Sequence, residues 1–163
     1  MAQHLSGAKQ RSPRGRRSEA LRVIPGERVP ILLKPVLIGE ILVAYLRVRQ
    51  RMSTADIRDV VSSIRAQPAT RPTNLEPGSL EARLVAGRLA NAVGRTLRVL
   101  PTDSRCLIQS LVLTRLLSDR AIPSTIVIGA HSRPDFAAHA WVEHLGRPVQ
   151  RPDAFNESRL FEI

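Results

Sequence analysis

The chain has one cysteine, Cys106, in 163 residues. A single thiol excludes an intramolecular disulfide and an all-cysteine zinc site. The four histidines (His4, His131, His139, His144) form no metal-binding spacing, so we expect neither metal nor cofactor. Aromatic residues make up 3% of the chain, few for a protein that reads single-stranded nucleic acid by stacking on bases. Lysine is nearly absent: of 25 basic residues, all but Lys9 and Lys34 are arginine. Long apolar runs are missing too. The longest, residues 31–46, is interrupted by Lys34, Pro35 and Glu40, whereas a spanning helix needs about 20 apolar residues. No apolar segment with a cleavage site follows the basic start, so we expect no secretory signal and a cytoplasmic protein whose thiol stays reduced.

What is present is enough for one domain. Hydrophobic residues are 43% of the chain, which supports a buried core, and the formal net charge is +11. Residues 1–28 carry Lys9, Arg11, Arg14, Arg16, Arg17, Arg22 and Arg28 against Glu19 and Glu27, and read as a flexible basic tail. Residues 29–163 read as a single α+β domain with a helical part (31–100) and a mixed helix-and-strand core (101–163). In the helical part, helical spacing of Val36, Leu37, Glu40, Ile41, Ala44 and Tyr45 predicts a helix from about Pro35 to Arg49. Ser53 or Thr54 caps a second helix with an Ile57, Val60, Val61, Ile64 stripe. Residues 67–79 form a linker. Ser79 opens a third helix to about Leu100, with Leu80, Leu84, Val85, Leu89, Ala92 and Val93 as its apolar positions, and Pro101 ends it.

The character changes after Pro101. A helix is predicted from Arg105 to Ser118, then a β-branched strand from Ser124 to Ile128. A loop over 131–135 leads to a second strand, Phe136 to His144, whose alternation sets Ala138, Ala140 and Val142 on one side and His139, Trp141 and Glu143 on the other. Leu145-Gly146-Arg147-Pro148 is a hairpin turn, Val149 starts a third strand, and Ser158 to Ile163 is a fourth.

One set of residues could carry chemistry. Cys106 falls in the first turn of a helix, where the macrodipole favours thiolate. His139 follows thirty-three residues later on a strand, and Asp153 fourteen residues after that, at or just past the next strand. Nucleophile, base and orienting acid would occupy such positions. Taken one at a time, these residues have other readings. A lone cysteine also serves as a small buried hydrophobe, a histidine between two alanines as a satisfied structural group, and Asp153 as a solvated loop acid.

The run Asp103-Ser104-Arg105-Cys106-Leu107-Ile108-Gln109-Ser110-Leu111, followed by Ile126-Val127-Ile128-Gly129, by Ala138-His139-Ala140-Trp141-Val142-Glu143 and by Gly146-Arg147-Pro148-Val149, resembles the lasso peptide leader peptidases. These are relatives of the C-terminal part of the microcin J25-processing protein. The resemblance covers residues 102–153. It implies a transglutaminase-like, papain-related cysteine protease fold, in which a cysteine-bearing helix packs on a small antiparallel sheet, and removal of the leader from a ribosomally made precursor peptide. It further implies Cys106 as nucleophile and His139 as base. The third role falls to Asp153, two residues past the simple counterpart position at Arg151, with Glu157 as the alternative. Trp141 and Gln109 are substrate-facing candidates, although Trp141 also reads as core and Gln109 as structural. The family's leader-binding domain, similar to a quinone-cofactor chaperone, has no place in this chain. The resemblance therefore implies a separate leader-binding partner, and an ATP-dependent cyclase to take the released core. The helix over 36–49 could dock that partner, or simply pack in the core.

Two rivals follow from the same residues. One is acyl transfer to an amine on the same fold. The other is a basic adaptor binding nucleic acid through its arm, which would show steep salt dependence and indifference to Cys106. The few aromatics and the lack of a helix-turn-helix pattern weigh against the adaptor, and no nucleic acid partner is expected.

Overall fold

A computed structural model describes residues 33–100, 105–131, 137–149 and 158–163. The tail 1–28, Asp103, Ser104, Asp153 and Glu157 lie outside the described residues. Among the described residues four helices precede four strands: α1 (Leu33–Met52), α2 (Ile57–Arg65), α3 (Leu80–Leu97), α4 (Arg105–Ser118), β1 (Thr125–His131), β2 (Ala137–His144), β3 (Arg147–Pro148) and β4 (Ser158–Glu162). The strands form one antiparallel sheet in the order β3-β2-β1-β4, and the architecture is α+β as expected. No helix among the described residues is long and apolar enough to cross a membrane.

Helix α4 is the hub, touching α1, α2, α3, β1 and β2. Its middle has almost no polar outer face. Every residue from Ser110 to Leu117 is buried, and Leu111, Val112 and Leu117 are fully so. Around it pack Ile41, Ala44, Tyr45 and Val48 of α1, Val60, Val61 and Ile64 of α2, and Leu89, Ala90, Val93 and Leu97 of α3. The sheet closes the core through Ile126 and Val142, which pair across β1 and β2. Such burial is the main favourable term in folding.

Several local expectations are corrected. Helix α1 runs three residues further at its C-terminal end, to Met52, whose side chain packs against the core and rewards the added turn. The cap of α2 is Asp56, whose carboxylate accepts from the Ile57 N–H at 2.7 Å. Ser53 and Thr54 instead donate their hydroxyls to the carbonyls of Gln50 and Arg51, closing the end of α1. Ser79 does cap α3, accepting from Ala82 N–H at 3.0 Å. The helix ends at Leu97, and its buried stripe is Ala82, Ala86, Leu89, Ala90, Val93 and Leu97. Leu80 and Leu84 are exposed, since small alanines let the backbones of α3 and its neighbours approach where leucines could not. The 67–79 segment is not a free linker. Arg71 N–H donates to Asp119 O at 2.8 Å and Thr73 N–H to Arg120 O at 3.1 Å, fastening it to the end of α4.

Strand β1 continues through Gly129 and Ala130 to His131, so His131 belongs to the sheet rather than to a loop. The β2–β3 turn is only Leu145-Gly146, both at positive φ (50° and 71°), which matches the twist of a two-residue hairpin. Arg147 and Pro148 are therefore β3 itself, and Val149 follows the strand, its N–H donating to Val142 O at 2.9 Å.

Candidate active site

Cys106 is the second residue of α4 and is half-buried. Its helix starts where unpaired backbone N–H groups and the positive end of the dipole meet. Across from it stands His139 on β2, and the thiol and imidazole share a hydrogen bond. In the neutral pair the S–H donates to the imidazole nitrogen; in the ion pair the imidazolium N–H donates to the thiolate. The thiol is held below its ordinary pKa, first by this bond. Burial works against it, pushing the thiol up. Backbone hydrogen bonds from Ala140 and Leu107 and the charge of His139 add to the lowering, and the net direction is toward thiolate.

Two neighbours position the pair. Ser110 lies one helical turn beyond Cys106, buried, and donates its hydroxyl to Ala140 O at 3.0 Å. Ala140 is the residue after His139, so this bond sets the register of α4 against β2 at the point where thiol and imidazole must meet. On the same strand face as His139 is Trp141. The two rings stack with centroids 6.3 Å apart and planes at 18°, and the indole N–H donates to Glu143 at 2.9 Å. With 7% of its surface exposed, Trp141 sets the back of the imidazole rather than a broad open wall. Gln109, three residues along α4, is half-buried. Gly129 pairs with His139 across β1 and β2, and the β1–β4 register slips between Ile128 and Gly129. A bulge thus lies beside the strand position opposite the imidazole, a common place for one next to a site.

The structure brings together Cys106, His139 and Trp141 of the residues singled out from sequence, with Gln109 on the same helix as Cys106. Asp153 and Glu157 lie outside the described residues. Ser110 has no role that sequence reasoning assigns. Its signal is its spacing, four residues after Cys106 and so on the same helical face.

A family model described as the transglutaminase-like superfamily matches residues 41–159. The chain belongs to that superfamily. Its fold and its cysteine–histidine pair are consistent with protease-like or acyltransferase-like chemistry on a thiol. No curated protein and no solved structure matches the chain.

The pair makes a direct prediction. Cys106 is the only thiol, so iodoacetamide alkylation reports on it alone. Alkylation should reach half its maximal rate at a pH below that of an unperturbed cysteine. In His139→Ala the chief lowering influence is gone while burial stays, so that midpoint should rise. A midpoint unchanged by the substitution would exclude the Cys106–His139 bond as the cause of the low thiol pKa.

Proposed function

We propose that the chain is a cysteine peptidase that removes the leader from a ribosomally synthesised lasso peptide precursor. The observation that carries the reading is the Cys106 thiol at a helix N-terminus, hydrogen-bonded to His139 and tuned toward thiolate. The Cys106 thiolate attacks the carbonyl carbon at the leader–core junction. The oxyanion that forms is stabilised by the backbone N–H of Cys106 in the first turn of α4. His139, protonated in the ion pair, gives its proton to the departing amine of the core, and the C–N bond breaks to leave a thioester. Water then attacks the thioester while His139 takes its proton, releasing the leader acid and restoring the thiol. Asp153 orients His139 and supports its charged form, with Glu157 as the alternative acid. Trp141 buttresses the imidazole, and Gln109 faces the substrate from one turn along α4. A separate leader-binding protein delivers the precursor, and an ATP-dependent cyclase takes the core.

The test is mass spectrometry of a lasso precursor peptide sought among the neighbouring genes, incubated with this protein, with and without a leader-binding protein. A single cut at the leader–core boundary is expected, present only when Cys106 is intact. Asp153→Ala should slow the cut by about tenfold or more, in the range of a lost orienting group; full activity in that variant would move the role to Glu157. An amide-linked product with an added amine, in place of the hydrolysed leader, would assign the chain to acyl transfer instead.

A further inference from the structure

A cleft of about 340 Å³ opens between α1, the 67–79 segment and the C-terminal half of α4. Arg115, on its wall, is nine residues from Cys106 along α4, about 14 Å at the helical rise. Four arginines line it, Arg47, Arg71, Arg115 and Arg120, against only two carboxylates, Glu40 and Asp119. Both carboxylates are already engaged. Glu40 pairs with Arg71 through one oxygen and with Arg120 through the other, the latter at 2.8 Å. Asp119 takes Arg115 Nη2 at 2.7 Å and the Thr70 hydroxyl at 3.1 Å. Among the described residues one guanidinium of the cleft is unpaired, and another keeps an unused donor beside its ion pair. Arg115 is 7% exposed, and its Nη1 is buried without a hydrogen-bond partner among the described residues. Arg47, exposed on α1, enters no ion pair among the described residues.

A buried guanidinium with an unused donor, in a cleft of net charge +2, calls for an anion, and a planar fork suits a carboxylate best. The walls say which anion. Val43 of α1 is 47% exposed at the cleft, Val36 beside it 53%, and Leu116 forms part of the floor. A bare phosphate would leave that apolar surface unused, whereas a carboxylate flanked by apolar side chains would cover it. We propose that this cleft binds an acidic peptide segment, its carboxylate on Arg115 and Arg47 and its apolar neighbours on Val36 and Val43. The site is separate from the Cys106–His139 pair and does not depend on the peptidase reading.

Proton–nitrogen correlation spectra of the full chain resolve arginine side-chain N–H signals and test this without any cleavage assay. Titration with the blocked tripeptide acetyl-Leu-Glu-Leu-amide should shift the Arg115 side-chain signal saturably at millimolar concentration. The Leu-Gln-Leu analogue should not, and Arg47→Glu, a change at an exposed position, should weaken the glutamyl peptide by about tenfold, the scale of one charge-assisted bond. No shift of Arg115 by the glutamyl peptide overturns the site. Equal affinity of the Arg47→Glu variant places the binding elsewhere and overturns it as well. Inorganic phosphate binding as tightly as the glutamyl peptide would show an unspecific anion pocket and overturn the peptide assignment.

Discussion

Cys106→Ala should abolish precursor cleavage, with a loss of about ten-thousandfold or more, and His139→Ala should come close to it, because nucleophile and base act as one unit and removing either disables both. The double variant should be no worse than Cys106→Ala alone. Both side chains are only partly buried, so the variants should stay folded, with a melting transition as sharp as the parent's. Single-turnover assays followed by mass spectrometry give the rate, and circular dichroism gives the fold. A Cys106→Ala protein that still cut at the same position would remove the thiol from the mechanism altogether. A histidine variant as fast as the parent at neutral pH, but with the alkylation midpoint moved up, would mean that His139 tunes the thiol without handling the proton of the leaving amine.

The second large effect concerns the helix that carries the thiol. Leu111 is fully buried one residue past Ser110, where α4 meets the core. Leu111→Ala should cost about 2–5 kcal/mol, the transfer energy of the lost methyl groups plus the cavity left behind. That is a large share of the roughly 5–15 kcal/mol that keeps an ordinary domain folded. Urea unfolding measures it, and Val99→Ala is the control: Val99 is 82% exposed and its truncation should stay within about 0.5 kcal/mol. If Leu111→Ala also lost less than about 0.5 kcal/mol, α4 would not be the centre of the core. Because Ser110 is its neighbour, a tolerated but loosened Leu111→Ala protein should also show slower alkylation of Cys106, the register between α4 and β2 having slackened.

Much of the fold is legible in the order of residues alone. Period-3.6 spacing marks α1, α2 and α3, and a β-branched run marks β1, since these patterns record which side chains must leave water together. The apolar positions of α4 bound it correctly even though its buried stretch runs all the way round. Ser79 caps α3 as expected, because a hydroxyl two or three residues ahead of free N–H groups is a purely local device. The sequence misleads where two local options compete. Ser53, Thr54 and Asp56 are all cap residues, and what chooses among them is the end of α1, which takes the two hydroxyls and leaves the carboxylate for α2. In α3 the leucines outweigh the alanines on a hydrophobicity scale, yet close packing against α4 rewards small size over apolar area.

The candidate site divides in the same way. That Cys106 opens a helix and His139 sits within a strand follows from the chain's own order of residues, because helix starts and strand alternation are set within a few positions. That the two side chains meet does not follow from it. Thirty-three residues and a turn of the chain separate them, and only the packing of α4 on β2, held by Ser110 on Ala140 and by Trp141 behind the imidazole, brings thiol to ring. The arginine cleft belongs wholly to this second kind. Arg47, Arg71, Arg115 and Arg120 are ordinary surface-type residues in sequence, and their unbalanced charge exists only because α1, the 67–79 segment and the end of α4 converge. Local periodicity and capping are short-range properties that a sequence carries by itself; the pairing of distant charges and donors is decided by which faces the core forces together.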